Sequence, residues 1–367
     1  MSIESFQTSG TSPSGCRIGL LGLGTVGSAL ARRLTSTDSP RGLQLTHILD
    51  RRADAKRAAH PELAQVRWTA AIDELLASDV DVIVEAIGGL DPAADWVRDA
   101  LRAGKSVVTA NKQVVARDGW RLLTLASRQG RQLRFEAAVG GAMPVVRAIG
   151  DGLAGDRLTR IDAILNGTTN AVLSTMQSTG CALESALADA RARGYAEADA
   201  SADLDGTDTR AKLAILCGLA FGAQLRPDQI AARSTAAVTA ADVAAARAQR
   251  RVIRQIAHAD YDASRSRLTA WVAPILVAAD SVFARTVGPR NAAIVTGVHS
   301  GETTIAGTGA GGSATAVAII ADLIAIARDR AAIVPPPRLS TPGTIVGFDS
   351  ISDFRVQTSD FELAEVV

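Results

Sequence analysis

Short apolar runs alternate with amphipathic segments in the first third of the chain. The run RIGLLG leads into the glycine-rich turn GLGTVG, after which apolar side chains recur at helical spacing at Val26, Leu30 and Leu34. The runs LQLTHILD, DVDVIVEAIGG and KSVVTANK are typical of buried strands, and helices are predicted over 92–103 and 120–130. Strands that alternate with helices predict parallel βαβ units.

The pattern changes after Pro144. The sequence RIDAILN predicts a strand, and TTNAVLSTMQ, ALESALADARARG and TRAKLAILCGLAFG predict helices. The segment 251–300 contains strand-like runs such as RLTAWVAPILV and NAAIVTGV, which indicate a mixed or antiparallel sheet. A second glycine turn, GTGAGG, then opens a long apolar helix.

These patterns divide the chain into five parts. The polar residues 1–16 lack a basic leader and an apolar run, so they predict a disordered tail and not a signal peptide. An α/β domain is expected over 17–143, an α+β domain over 144–306, and a glycine turn and helix that return to the first domain over 307–330. No role is assigned to the C-terminal extension 331–367.

The composition excludes several classes of protein. The 367 residues include 39 Lys and Arg and 38 Asp and Glu, so the charge of +1 offers no positive field for nucleic acid. No membrane partner is expected, because even the apolar run AVAIIADLIAIA is interrupted by Asp322. The cysteines Cys16, Cys181 and Cys217 are odd in number and far apart, which argues against a disulfide framework and favours a reducing cytoplasm.

The turn GLGTVG matches the GxGxxG pattern between a strand and a helix. Glycine permits a tight turn and lets the backbone approach a pyrophosphate, whose charge rests on the N–H groups at the helix N-terminus. The pattern therefore predicts a Rossmann-type dinucleotide-binding domain with a doubly wound parallel sheet. The expected cofactor-binding residues of this turn are Gly22, Gly24, Thr25, Val26 and Gly27.

The end of the second strand bears on the choice of cofactor. Asp50 lies 23 residues after Gly27, where a Rossmann domain places an acid on the ribose 2′-hydroxyl. Arg51 and Arg52 follow at once and are equally suited to hold a 2′-phosphate or to lie in a solvated turn. NAD and NADP both remain open.

Two lysines lie at places suited to chemistry. Lys112 follows an apolar strand and so points into the crevice at the carboxyl edge of the sheet, although a surface ion pair is the alternative. Lys212 lies four residues after Asp208 on a predicted helix, at the edge of its apolar stripe. Carboxylates around such an amine keep it protonated, as a proton donor to a developing alkoxide requires.

Carboxylates are dense just before Lys212. Glu197, Asp203 and Asp208 fall within twelve residues, which suits a calcium loop or a solvated acidic turn. Glu197 and Asp208 are also candidates to bind an ammonium group of a substrate. Asn166-Gly167-Thr168-Thr169 precedes an apolar helix and predicts either a threonine N-cap or a helix start that binds a carboxylate.

Taken together, these motifs resemble those of homoserine dehydrogenases. GLGTVG, AGKSVVTANK, FEAAVGGAMPVV, LNGTTN, GYAEADASADLDGTDTRAKL and GTGAGG occur in the order of that family over 17–330. The resemblance implies NAD(P)-dependent interconversion of L-aspartate 4-semialdehyde and L-homoserine, on the way to threonine and methionine, by a homodimer whose second domain binds substrate and dimerises.

The resemblance also implies residue roles. Lys212 would transfer the proton at the substrate oxygen, with Lys112 as a second candidate between nicotinamide and substrate. The other implied residues are Glu197 and Asp208 as ligands of homoserine, Asp203 as their support, Gly167 and Thr168 as pocket lining, Gly311 at the cofactor, and Glu136 with the carbonyls of Val139, Gly141 and Met143 around a monovalent cation, sodium or potassium.

The chain departs from the family pattern at three points, and two alternative functions stay open. Ala200 and Ala171 replace residues frequent in the family, and neither change removes a reacting group. Too few residues follow the last helix for the C-terminal regulatory ACT domain of many relatives, which puts feedback inhibition through it in doubt. The alternatives are another amino-acid or semialdehyde dehydrogenase on the same fold, and a nucleotide-sensing protein without turnover.

Overall fold

In the computed structural model, which describes residues 15–328 and 344–346, the first domain is built on six parallel strands in the order β3-β2-β1-β4-β5-β6. That order is the Rossmann arrangement, with the switch point between β1 and β4. The elements are β1 Cys16–Leu21, α1 Thr25–Thr35, β2 Leu43–Leu49, α2 Ala53–Ala59, β3 Arg67–Thr69, α3 Ile72–Ala77, β4 Val82–Glu85, α4 Ala93–Arg102, β5 Ser106–Thr109, α5 Lys112–Arg128 and β6 Leu133–Arg134. The predicted parallel α/β domain is confirmed.

Two boundaries differ from the sequence prediction. The helix predicted from residue 120 begins at Lys112, because the Asn111 side chain accepts hydrogen bonds from the backbone N–H groups of Gln113 and Val114 and so caps an earlier start. Strand β1 begins at Cys16, one residue inside the predicted tail, and residues 1–14 lie outside the described part of the chain.

The second domain contains a mixed sheet in the order β12-β11-β7-β9-β10-β13, with β8 also paired to β10. Its central pairs are antiparallel, whereas β8 and β13 run parallel to β10. The elements are α6 Val145–Arg147, β7 Leu158–Ile164, α7 Gly167–Thr179, α8 Leu183–Ala192, α9 Ser201–Leu204, α10 Thr207–Phe221, β8 Ala231–Ala232, α11 Ala240–Ala248, β9 Arg251–Asp262, β10 Arg267–Ala278, α12 Val282–Arg285, β11 Arg290–Gly297, β12 Gly301–Thr308, α13 Gly312–Arg328 and β13 Thr344–Val346. The predicted α+β architecture is confirmed.

Helix α10 packs between the two domains. Its apolar stripe, Leu213, Leu216 and Cys217, is fully buried in a core that also contains side chains of the Rossmann domain and of the second sheet. The predicted stripe at the start of this helix therefore holds Lys212 at the border of a shared core.

Helix α13 returns to the first domain and packs along α1. A Cβ atom at Gly312 would lie 2.9 Å from the carbonyl oxygen of Thr25, so a glycine is needed for this approach. Asp322, in the middle of the helix, is buried and accepts a hydrogen bond from the backbone N–H of Glu136. Of the C-terminal extension 331–367, the described residues are those of β13. None of the helices within the described ranges is both long and apolar enough to cross a bilayer.

Candidate active site

The glycine turn after β1 leaves room for an anion at the start of α1. A Cβ at Gly27 would lie 2.0 Å from the carbonyl oxygen of Gly22, and Gly22 itself has a φ of +88° against the Ile87 side chain. A Cβ at Gly24 would meet nothing within 4 Å, so that residue faces open space. Because no side chain caps α1, which begins at Thr25, its first N–H groups fit a pyrophosphate.

Asp50 lies beside this turn and is already paired. Its Oδ2 atom accepts from the Lys56 Nζ at 2.5 Å and from the backbone N–H of Leu23 at 3.0 Å, and Oδ1 accepts from the N–H of Arg52. Burial raises the pKa of Asp50, but the hydrogen bonds and the charge of Lys56 outweigh it, so that the net pKa lies below its ordinary value. The side chains of Arg51 and Arg52 are exposed.

Sequence reasoning missed Lys56. Its ammonium group also donates to the carbonyl oxygen of Leu23 at 2.8 Å, so it joins the glycine turn to Asp50. The available signal was its position six residues after Asp50, on α2, together with the scarcity of lysine in this chain.

The two lysines singled out from the sequence meet at one carboxylate. Asp208 Oδ1 lies 2.9 Å from the Nζ atom of Lys112, and Oδ2 lies 2.9 Å from that of Lys212. The Lys212 ammonium also donates to the carbonyl oxygen of Leu165, the residue after β7, at 2.8 Å. Lys112 is the first residue of α5 and belongs to the Rossmann domain, so the cluster bridges the two domains.

The cluster is largely removed from solvent. The side chains of Asp208 and Lys212 are 10% and 12% exposed, and that of Lys112 is 37% exposed. Burial raises the pKa of the Asp208 carboxyl, but Lys212 and Lys112 more than reverse this and hold it well below its usual range. Burial lowers the pKa of Lys112, and the negative charges of Asp208, Asp203 and Glu197 bring the net shift upward. The Lys112 amine therefore carries a charge at neutral pH.

Asn166 organises the acidic residues and was not among the predicted site residues. Its Nδ2 donates to Asp203 Oδ1 at 2.7 Å and to Asp208 Oδ2 at 3.0 Å, while its Oδ1 accepts from the N–H of Thr169 and caps α7. The predicted threonine N-cap is wrong, because the asparagine supplies the cap. Burial dominates at Asp203 and raises its pKa.

Two of the remaining predicted substrate residues, Gly167 and Thr168, lie at the start of α7. Thr168 donates through Oγ1 to the carbonyl oxygen of Tyr195 at 2.7 Å, which ties the acidic loop to the helix. Gly167 is buried, and a Cβ there would lie 2.8 Å from the carbonyl oxygen of Pro289. Glu197 is exposed and shifts the pKa of Lys112 by its charge.

The turn after β6 holds the residues expected to bind a cation. Glu136 is 4% exposed, and its carboxylate accepts from the N–H groups of Val146 and Arg147 at 2.9 and 2.7 Å. Burial raises its pKa to about 7. Gly141 has a φ of +58° and packs against the glycine turn before α13, and the Met143 carbonyl accepts from the N–H of Val145.

Two further predicted positions flank this turn. Val139 is buried directly after the short 3-10 helix Glu136–Ala138, and Gly311 has a φ of +114° with open space at its Cβ position. Within the part of the chain that the structure describes, no cluster of three or more His, Cys, Asp or Glu side chains suits a metal ion.

Comparison with known proteins identifies the family of this chain. The sequence profile of the homoserine dehydrogenase NAD-binding domain matches residues 22–136, and the homoserine dehydrogenase profile matches 144–324. A homoserine dehydrogenase of Mycobacterium tuberculosis is 40% identical over 323 residues, covering 85% of this chain and 72% of the relative. One from Corynebacterium glutamicum is 35% identical over 374 residues, covering 99% and 82%.

Solved structures agree as well. The homoserine dehydrogenase of Thiobacillus denitrificans superimposes with a TM-score of 0.82 at 32% identity, over 90% of this chain and 79% of that one. A hyperthermophilic archaeal homoserine dehydrogenase in complex with NADPH gives a TM-score of 0.72 at 26% identity, over 88% and 100%. The two matching profiles, the sequence identities and the superposed structures show that the chain belongs to the homoserine dehydrogenase family, whose members are NAD(P)-dependent oxidoreductases.

Proposed function

We propose that this enzyme interconverts L-aspartate 4-semialdehyde and L-homoserine with the residues of the Lys112–Asp208–Lys212 cluster. The observation that carries the proposal is the pair of ammonium groups held 2.9 Å from one buried carboxylate at the carboxyl edge of the Rossmann sheet. Ligands bind at this edge in open α/β sheets, so a substrate there lies within reach of both domains.

Lys212 is the proton donor in this proposal. An ammonium group has three N–H donors, and the structure assigns one to Leu165 and one to Asp208, which leaves the third for the substrate oxygen. When bound, the reduced nicotinamide cofactor supplies a hydride to the aldehyde carbon. Lys212 gives its proton to the carbonyl oxygen, which becomes the hydroxyl of homoserine, and takes a proton back in the reverse direction.

Lys112 has a different part. Because the pKa of Lys112 is raised, its amine stays charged and stabilises negative charge on the substrate oxygen. Proton transfer to that oxygen is its alternative role. We assign Glu197 and Asp208 to the amino group of the substrate, with Asp203 held in support by Asn166. Gly167 and Thr168 line the pocket at the start of α7.

For the cofactor, we propose that NADP is accepted as well as NAD. Asp50 alone would repel a 2′-phosphate, but Lys56 neutralises it at 2.5 Å, and the exposed side chains of Arg51 and Arg52 add positive charge. Gly22, Gly24, Thr25, Val26 and Gly27 would hold the pyrophosphate, with Gly311 and Lys112 at the nicotinamide end.

A monovalent cation, sodium or potassium, fits the turn after β6. The buried Glu136 carboxylate lies at a turn formed by Val139, Gly141 and Met143, and carbonyl and carboxylate oxygens are the ligands that hard cations prefer. We propose that the cation binds these oxygens and steadies the connection between the domains. Dependence of the melting temperature on NaCl and KCl, against choline chloride at equal ionic strength, tests this.

We propose a cytoplasmic homodimer that associates through the second sheet. Trp271 on β10 is half-buried and stacks on His258 at 4.8 Å, which places an aromatic pair on the sheet surface. The free thiols of Cys16, Cys181 and Cys217 are consistent with a reducing compartment. Sedimentation of the protein alone tests the dimer.

The activity is tested by absorbance at 340 nm with L-homoserine and either NAD or NADP. Lys212→Ala and Lys212→Arg should both abolish turnover, the second because a guanidinium does not release its proton at neutral pH, and both should still bind cofactor. Folded wild-type protein that binds nucleotide but leaves both cofactors unreduced would favour another semialdehyde dehydrogenase or a nucleotide sensor.

A further inference from the structure

The central strand β4 of the Rossmann sheet ends at a residue with a buried carboxylate. Glu85, the last residue of β4, is 0% exposed. Its carboxylate accepts from the Thr109 hydroxyl at 2.5 Å and from the backbone N–H groups of Ile87 and Gly88 at 2.9 and 3.1 Å. A buried carboxylate needs several donors of this kind, so Glu85 fixes both the loop after β4 and the end of β5.

The same hydrogen bonds continue to the start of α5. Thr109 Oγ1 accepts from the backbone N–H of Asn111 at 3.0 Å. Asn111 in turn donates through Nδ2 to the carbonyl oxygen of Gly89 at 2.6 Å, while its Oδ1 caps the helix. Lys112 lies between Asn111 and Gln113, whose N–H group donates to the Asn111 side chain, so the backbone of Lys112 is fixed on both sides.

The network also touches the dinucleotide turn. Ile87, whose N–H is bound by Glu85, lies against Gly22, where a Cβ would be 2.6 Å from its Cγ2 atom. The hydrogen bonds of Glu85, Thr109 and Asn111 therefore fix two things. They hold the loop residue that packs against the glycine turn, and they hold the backbone from which the Lys112 side chain extends.

We propose that Thr109, together with Glu85 and Asn111, is a positioning residue that aims Lys112 at Asp208. The proposal rests on the proposed function of the lysine cluster. Lys112 crosses from one domain to the other to reach Asp208 at 2.9 Å, and a shift of about 1 Å at the start of α5 would break that contact. No group of the network needs to touch the substrate for this effect.

Thr109→Val and Thr109→Ser form the main test. Valine has nearly the shape of threonine and suits a strand, but it leaves Glu85 without one donor and the Asn111 N–H without its acceptor. We expect Thr109→Val to lower kcat/KM for homoserine at least tenfold, and Thr109→Ser, which keeps the hydroxyl, to restore most of it. Asn111→Ser gives a second route, because serine still caps α5 but is too short to reach Gly89.

Thr286→Val is the matched control. Thr286 is also a buried threonine whose hydroxyl donates to a carbonyl, that of Val282, and it lies in the connection after α12. Because the Val282 carbonyl keeps the N–H of Thr286 as a donor, we expect the melting temperature of Thr286→Val to fall less than that of Thr109→Val, with kcat/KM within twofold of wild type. Equal losses of activity in the two variants would reduce Thr109 to a structural role and overturn the proposal.

A double-mutant cycle tests whether Thr109 acts through Lys112. The homoserine dissociation constant of the complex with reduced cofactor, read from nicotinamide fluorescence, needs no turnover. We expect Thr109→Val to weaken homoserine binding severalfold in the wild-type background and less than twofold in Lys112→Ala. Additive losses, or wild-type binding and kcat/KM in Thr109→Val, would overturn the proposal, whereas a wild-type protein inactive on homoserine would instead overturn the proposed function.

Discussion

Asp208→Asn tests the central element of the proposed site. The substitution keeps the size of the side chain and removes the negative charge that Lys112 and Lys212 share at 2.9 Å each. The amide can still accept a hydrogen bond from one ammonium group, so the change is mainly electrostatic. Two positive side chains are then left without their common counter-ion.

The magnitude follows from burial and distance. At an effective dielectric constant of about 20, one ion pair at 2.9 Å has a Coulomb energy of about 6 kcal/mol, an upper bound that omits desolvation. Breaking a buried pair from one side costs about 3 to 5 kcal/mol. Lys112 is 37% exposed and screened by solvent, so we count the Lys212 pair alone, at about 3 kcal/mol. If the transition state loses the same free energy through a displaced Lys212 amine, kcat/KM falls about 100-fold.

The assay is homoserine oxidation followed at 340 nm, with Asp205→Asn as the matched control. Asp205 lies three residues earlier in the same acidic loop, is exposed, and accepts a hydrogen bond from the N–H of Thr207. It undergoes the same change of charge outside the cluster, and we expect kcat/KM within about twofold of wild type, as for most surface substitutions. Cofactor binding should be unchanged in both variants.

Two results would refute the reasoning. If Asp208→Asn kept kcat/KM within threefold of wild type, the shared carboxylate would not organise the two lysines. If Asp205→Asn lost as much activity as Asp208→Asn, the effect would come from the net charge of the loop and not from the 2.9 Å contacts.

Three further predictions concern the turn, the cofactor and pH. Gly27→Ala should destabilise the protein by about 1 to 3 kcal/mol, since its Cβ would meet the backbone of Gly22. Gly24→Ala should leave the melting temperature unchanged and weaken NAD(P) binding. Equal melting temperatures of the two variants would contradict this prediction. Lys56→Met should lower kcat/KM for NADP relative to NAD about tenfold, because one charged contact of about 1.5 kcal/mol is lost; an unchanged ratio would exclude Lys56 from the ribose site. The pKa of Asp208 in the folded protein lies below its ordinary value of 3.8, so the ionised carboxylate stabilises the fold fully above pH 3.8 and progressively less below it. Denaturant titrations should therefore find that the difference in unfolding free energy between wild type and Asp208→Asn shrinks as the pH falls below 3.8.

The local features of this protein were readable from the sequence. The GLGTVG turn, the alternation of strands and helices, and the i,i+4 spacing of Asp208 and Lys212 each depend on neighbours within a few residues. Backbone geometry and helical periodicity dictate such relations directly. The fold class and the two-domain organisation of the elements followed from them.

The tertiary structure decided which distant groups meet. Lys112 reaches Asp208 from another domain, Asn166 joins Asp203 to Asp208, and the Glu85–Thr109 hydrogen bond links two strands. These contacts join residues 24 to 96 positions apart, and no periodicity spans such distances. They arise because parallel strands end at one edge of a sheet and because α10 packs against both domains. Burial then makes each charged group require a partner.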